Sequence, residues 1–81
     1  MKNSEKVAKI IDANVHRITE LVIEQETAEK AILTLEGPNG EGVTVSDQEE
    51  IIERVLFGID LLRAVNKDLM AFHKTLVEEG Q

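Results

Sequence analysis

Two long stretches of the chain repeat apolar residues in alternating steps of three and four positions, the spacing of one face of an α-helix. In the first stretch this spacing selects Ser4, Val7, Ile11, Asn14, Ile18, Leu21, Gln25, Ala28, Ile32 and Leu35. In the second stretch it selects Ile52, Val55, Ile59, Leu62, Asn66, Leu69, His73 and Leu76. We call these positions the seam. The pattern predicts an all-α protein of one domain, residues 1–81, with helices at about 4–35 and 46–79.

A cluster of helix-breaking residues separates the two stretches. It consists of Gly37, Pro38, Asn39, Gly40 and Gly42. Pro38 cannot continue a helix, and Gly37 suits the position just past a helix end. Ser46, followed by Glu49 three residues later, has the spacing of a capping box at a helix start. A loop at about residues 36–45 is therefore expected to join two antiparallel helices as a hairpin.

An alternative for the tip of the hairpin stays open. The segment ILTLEGPNGEGVTV, residues 32–45, alternates β-forming residues around an Asn-Gly pair. This is also the signature of a short β-hairpin.

An antiparallel packing of the helices matches the two halves of the seam along their whole length. In the register that the pattern suggests, Leu21 faces Leu62. One turn away, Ile18 faces Asn66.

Further apolar residues flank the seam on both helices, so the apolar surface is too wide for two helices alone. They are Ile10, Val15, Val22, Ala31, Ile51, Leu56, Val65, Met70, Phe72 and Val77. A second copy of the chain is the simplest cover, which predicts a homodimer forming a four-helix bundle. We expect the copies to meet at Val15, Val22, Leu56, Gly58, Val65 and Phe72.

Gly58 is the most informative of these positions. A glycine in mid-helix costs about 1 kcal/mol relative to alanine. Its place beside the seam predicts the close approach of another helix.

Size and composition agree with assembly. A chain of 81 residues is near the size at which a lone core is barely sufficient. It has no cysteine, so no disulfide can add stability. The start, MKNSEKVAKI, interleaves lysines with apolar residues and lacks a signal peptide's apolar region, and the longest apolar run is VLFGI. We expect a soluble, cytoplasmic protein that does not enter a membrane.

Charge is distributed unevenly along the chain. The net charge is −7, which disfavours direct binding to nucleic acid, as does the near absence of aromatic residues on which bases could stack. All of this excess lies in residues 24–54, and the remainder is balanced. Part of this negative charge is expected at the start of the second helix, where the positive end of the helix dipole stabilises acidic side chains. The rest predicts an acidic face for a basic surface on a partner protein, formed by Glu41, Asp47, Glu49, Glu50 and Glu53.

Four seam positions carry polar side chains and form a predicted polar core. They are Asn14, Gln25, Asn66 and His73. The structural interpretation is a set of hydrogen-bonded groups that determine register and oligomeric state. The functional interpretation is a pocket between the helices for a small molecule, with His73 as acid, base or ligand.

The sequence indicates no catalytic residues, resident cofactor or metal site. His16 and His73 belong to no metal-binding spacing, and GPNGEG lacks the residues of a phosphate-binding loop. Two glutamate pairs, Glu26 with Glu29 and Glu50 with Glu53, leave open a less favoured alternative, a Mg²⁺- or Mn²⁺-dependent all-α hydrolase.

The resulting expectation is a non-enzymatic interaction or regulatory module. Its apolar flanks would assemble the bundle, and its acidic tip would occupy a basic partner surface as an inhibitor or adaptor, of which a DNA mimic is one form. The alternative of a different class is a small-molecule-binding bundle.

Overall fold

A computed structural model describes residues 2–35 and 45–81. It contains two helices, α1 (Asn3–Leu35) and α2 (Val45–Glu78), which pack along one another. Contacts run in opposite order along the two helices: Leu21 lies against Gly58, Asn14 against Asn66, and Ser4 against Gln81. The described part of the chain is thus an antiparallel pair of helices, and the prediction of an all-α protein is confirmed.

The molecule is a rod rather than a globule. Its principal extents are 61 × 17 × 13 Å and its radius of gyration is 18.2 Å. A compact domain of this length would have a radius of gyration of about 12 Å. A rod two helices wide has little interior, and none of the described large side chains is fully buried.

The seam lies between the helices. Every seam side chain that the structure describes is buried or half-buried; for Leu35 only the backbone is described. The apolar core is centred on Leu21, Val55 and Ile59, with Ile18 and Leu62 among the partly buried residues packed against it. The three-four spacing keeps these side chains on one stripe of each helix, so one partner helix can cover them.

The register differs by about one turn from the one that the pattern suggests. The pattern suggests that Asn66 faces Ile18. In the structure the Asn66 side chain hydrogen-bonds instead to Asn14 and to the main chain of Ile11, one to two turns closer to the start of α1. Because the apolar pattern repeats, a shift by one turn preserves most apolar contacts. In the observed register the side chains of Asn14 and Asn66 are hydrogen-bonded, and this distinguishes the observed register from those shifted by one turn.

The chain ends are joined at the end of the rod opposite the loop. Gly80 has a positive φ of 75°, and its N–H donates to the Val77 carbonyl while the Gln81 N–H donates to that of Leu76. This pair of bonds is a Schellman motif, which terminates α2. The Gln81 main-chain oxygen in turn accepts a 3.1 Å hydrogen bond from the Ser4 N–H. One unpaired N–H of the first turn of α1 is thereby satisfied by the end of the chain.

Near the loop, the observed helix bounds bear on two expectations. α2 begins at Val45, so Ser46 lies in its first turn rather than preceding it. α1 is helical through Leu35, so a β-strand does not begin at residue 32. The rest of the proposed β-hairpin, residues 36–44, lies outside the described residues. Neither α1 nor α2 is apolar enough over a sufficient length to cross a membrane.

Candidate interaction surfaces

The polar core of the hairpin is one pair of asparagines. The Asn14 Nδ2 donates to the Asn66 Oδ1 at 2.8 Å, and the Asn66 Nδ2 donates to the Ile11 carbonyl at 3.3 Å. Asn66 is only 5% exposed. A buried amide without partners would destabilise the fold, so these bonds favour one alignment of the helices over its neighbours.

The other two predicted core residues lie apart from this pair. The Gln25 Nε2 donates to the Glu29 Oε1 at 3.1 Å within α1, about 16 Å along the helix from Asn14. His73 is half-buried, two turns beyond Asn66. The four residues therefore form one bonded pair and two separate positions, rather than a single polar pocket.

Two surfaces flank the seam, one on each side of the hairpin. We define the Gly58 face by residues seven apart on each helix: Ile10, Arg17, Glu24 and Ala31 of α1, with Ile51, Gly58, Val65 and Phe72 of α2. We define the Met70 face in the same way: Ala8, Val15, Val22 and Glu29 of α1, with Leu56, Arg63, Met70 and Val77 of α2. Residues seven apart share a side of a helix, so each set forms a row on either side of the seam.

A groove lies along the middle of each face. On the Gly58 face it has a volume of about 630 Å³ and is lined by Arg17, Glu24, Ile51, Arg54 and Gly58, with Leu21, Val55 and Leu62 as its floor. On the Met70 face it has a volume of about 380 Å³ and is lined by Val15, Ile18, Arg63, Asn66, Lys67 and Met70. The first groove is bordered by both signs of charge, and the second by cations only.

The residues predicted to join two copies are divided between these faces. Val15, Val22 and Leu56 belong to the Met70 face, whereas Gly58, Val65 and Phe72 belong to the Gly58 face. A second hairpin laid flat on one side of the first covers one set and not the other.

Both faces expose large apolar side chains. Across the described residues, eleven such side chains are between 41% and 71% exposed. Seven of them belong to the two faces: Ile10, Val65 and Phe72 to the Gly58 face, and Val15, Leu56, Met70 and Val77 to the Met70 face. The other four lie on neither face: Ile23, Leu33, Phe57 and Leu61. Single exposed apolar residues are ordinary on a protein surface, but rows of them mark a site of interaction.

Gly58 provides space for a side chain of the other helix. A Cβ at this position would lie 3.3 Å from the Leu21 Cδ1, which is tighter than ordinary van der Waals contact. The missing side chain therefore lets Leu21 pack against the α2 backbone, and it also leaves the groove above open.

The acidic residues near the loop end are exposed. Asp47, Glu49, Glu50 and Glu53 are all exposed on the first turns of α2. Glu41, the fifth predicted member of the acidic face, lies outside the described residues. The exposure of the other four is what a surface for a basic partner needs.

Two charged residues of the Gly58 face, Arg17 and Glu24, were not among the predicted site residues. Arg17 forms a 3.0 Å ion pair with Glu20 on the same helix. Their spacing of seven residues beside the seam is the signal in the sequence that could have placed them on a shared face.

The glutamate pairs proposed for a metal lie on the surface. Glu26, Glu29, Glu50 and Glu53 are all exposed, and within residues 2–35 and 45–81 no three acidic or histidine side chains are grouped so as to hold a metal ion.

The fold and its surfaces define a class of protein, a two-helix hairpin with an apolar row on each side and an acidic end. Comparisons with protein-family models, with curated protein sequences and with solved structures gave no match for this chain.

Proposed function

We propose that the protein is a non-enzymatic interaction module that forms a homodimeric four-helix bundle and presents its acidic loop end to a basic surface of another protein. The observation that carries this proposal is the pair of exposed apolar rows that flank the seam. The protein would act as an inhibitor or adaptor by covering a surface of its partner. A cytoplasmic location belongs to the same proposal.

The energetic argument for assembly rests on the small interior. Only six apolar side chains of the described residues are buried: Val7, Leu21, Ala28, Val55, Ile59 and Leu76. Burial of apolar area stabilises by about 25 cal/mol per Å², so the exposed rows represent stabilisation that a lone hairpin does not realise. A second hairpin placed on one row would supply it, as in other four-helix bundles.

The argument for a basic partner rests on the position of the charge. Residues 24–54 have a net charge of −7, and the rest of the chain has none. The four described acids of the predicted face, on the first turns of α2 near the loop, are all exposed. Complementary charge speeds association and selects among partners.

The first test is the solution mass, measured by light scattering with refractive-index detection because the chain has neither Trp nor Tyr. We expect a mass near twice the 9.0 kDa of one chain. A single-chain mass at all concentrations up to about 0.5 mM, where even weak dimers with a Kd near 10⁻⁴ M associate, would contradict the dimer.

The second test reverses the acidic face. In an affinity capture of basic proteins, Glu49→Lys, Glu50→Lys and Glu53→Lys together should abolish retention of partners that bind the wild type. The matched control reverses Glu5, Asp68 and Glu78, which lie in the balanced half of the chain. Equal retention by both triple variants would show that the acidic end is not the binding surface.

A small-molecule-binding bundle is the second candidate, favoured by the groove of the Met70 face. This groove is lined mostly by apolar atoms and reaches Asn66. Both hydrogen bonds of the Asn66 amide described above are made within the hairpin, so a ligand would rely on Arg63 and Lys67 for polar contacts. In a thermal-shift screen, binding of an anionic metabolite should raise the melting temperature of the protein. An unchanged melting temperature with every metabolite would rule this function out.

A further inference from the structure

The Gly58 face is self-complementary when it meets a second copy turned end to end. We propose that two copies pack antiparallel through this face, about a two-fold axis that passes at the level of Leu21 and Gly58. This inference rests on the proposed homodimer and specifies which face forms it and in which direction.

The charges of α1 support this arrangement. Arg17 and Glu24 lie on the same face, three or four residues on either side of Leu21. When α1 meets the partner's α1 in the opposite direction about this midpoint, Arg17 faces the partner's Glu24, and the symmetry repeats the contact. In the same alignment Ile10 faces the partner's Ala31. Opposite charges meet each other, and apolar residues meet apolar residues.

The α2 row matches about the same level. Its member at the level of Leu21 is Gly58, so the axis places Gly58 against the partner's Gly58, where the absence of side chains permits close approach. Seven residues on either side, Ile51 faces the partner's Val65. The two midpoints, one on each helix, are at one height in the hairpin because Leu21 packs against Gly58. A single two-fold axis therefore satisfies both helices, as an isologous dimer requires.

Arg17 has the donors to make this contact. Its guanidinium uses one nitrogen, Nη1, for the 3.0 Å bond to Glu20. The guanidinium has five N–H donors, so a carboxylate of the second copy can bind without loss of the existing pair. The groove between Arg17, Glu24 and Gly58 is open to the partner side chains that this packing inserts.

The alternative dimers fit less well. If the copies pack with their loop ends together, the two acidic ends of −7 become neighbours, and Arg17 and Glu24 each face the apolar row of α2. If they pack antiparallel through the Met70 face about the middle of its α2 row, the charged Arg63 meets the apolar side chain of the partner's Met70. Like charges placed together at an interface, and charges buried against apolar side chains, oppose binding.

The deciding experiment is a charge swap measured by sedimentation or light scattering. Arg17→Glu alone places four acids at the axis, and Glu24→Arg alone places four bases there. Each variant should raise the Kd of the dimer by about tenfold or more. A one-to-one mixture of the two should form a heterodimer, because both cross-contacts are again between opposite charges. The double variant should also dimerise.

The control is Glu20→Arg. This change breaks the same ion pair within α1 that Arg17→Glu breaks, but Glu20 does not belong to the Gly58 face. Its dimer should be as stable as that of the wild type. Circular dichroism of each variant establishes that the helices persist.

The outcomes separate this inference from the proposal on which it rests. If the wild type dimerises and both single variants dimerise equally well, the dimer stands and the Gly58 face is excluded. If the wild type is a monomer, the dimer itself is wrong. An independent check uses the absence of native cysteine: Ile51→Cys mixed with Val65→Cys should form an intermolecular disulfide, and neither variant alone should. Absence of the mixed disulfide contradicts the proposed axis.

Discussion

The half of the hairpin near the loop and the half near the chain ends follow one seam pattern but are held together differently. Near the loop, α1 and α2 meet through apolar side chains centred on Leu21, Val55 and Ile59. Near the chain ends, where Val7 and Leu76 are also buried, hydrogen bonds join the helices, first between Asn14 and Asn66 and then between Ser4 and Gln81. Apolar contacts supply stability but tolerate sliding by a turn, whereas hydrogen bonds between specific groups select one register.

The two halves also differ in charge. Residues 24–54, at the loop end, contain the whole excess of −7, and the rest of the chain is neutral. The buried members of the apolar cluster, Leu21, Val55 and Ile59, lie just outside this segment, so the cluster borders the part of the hairpin that repels itself. The following predictions test this comparison in order of expected effect.

The largest effect is expected in the apolar half. Leu21 is 7% exposed and packs against Gly58, so Leu21→Ala should lower the free energy of unfolding by about 2–5 kcal/mol. Urea denaturation followed by circular dichroism measures this. Ile23→Ala, an exposed site two residues away on the outer side of α1, should change it by less than about 0.5 kcal/mol. Equal losses at the two sites would mean that Leu21 is not part of a packed core.

The polar half should respond to loss of its amide pair. Asn66→Ala removes the acceptor of Asn14 and should cost about 1–3 kcal/mol. In a double-mutant cycle, adding Asn14→Ala to this variant should cost little more, since the bond is already absent, which gives a coupling of at least about 0.5 kcal/mol. Fully additive losses would show that the two asparagines do not interact in solution.

The cap at the end of α2 predicts a third effect. Gly80 has a φ of 75°, which side-chain-bearing residues rarely adopt, so Gly80→Ala should destabilise by about 1 kcal/mol. Glu79→Ala is the matched control, because Glu79 is exposed beside Gly80 and has no positive φ, so this change should alter stability by less than about 0.5 kcal/mol. Thermal melts should rank Gly80→Ala below Glu79→Ala, and equal melting temperatures would contradict the cap.

The smallest effect concerns the acidic half. Glu26 and Glu29 lie in the acidic segment of residues 24–54, where the surrounding acids oppose further negative charge. Replacing both by Gln should raise the free energy of unfolding by about 0.5–1 kcal/mol at low salt, and by less at about 0.15 M salt. Asp68→Asn, in the balanced half, should give no such gain. A stability independent of both changes and of salt would show that the charge excess is fully screened.

The sequence predicted the helices and their seam because a spacing of three and four residues admits few other structures. It did not predict the register, since Asn66 finds apolar neighbours in more than one alignment and only the bond to Asn14 distinguishes them. The pairing of the chain ends was also missed. It depends on the main chain of Ser4 and Gln81, whose hydrogen bonds leave no mark in the residue pattern.

The candidate site was predicted in composition but not in arrangement. The flanking residues Val15 and Val65 are exposed side chains beside the seam, as the width of the apolar surface suggested. Their separation onto opposite sides of the rod follows from the geometry of an antiparallel pair. Arg17 was overlooked because an exposed arginine that pairs with a neighbouring glutamate looks like ordinary surface.

The hydrogen bond between Ser4 and Gln81 has a consequence for anyone who wishes to link two copies into one polypeptide. It places both chain ends at one end of a rod 61 Å long. In the antiparallel dimer that we propose, the end of one copy and the start of the next lie at opposite poles. A tether must then run nearly the length of the rod, which takes at least about 17 extended residues. A tether of five residues would permit only the arrangement with both loops together, so linker length becomes a switch between the two topologies.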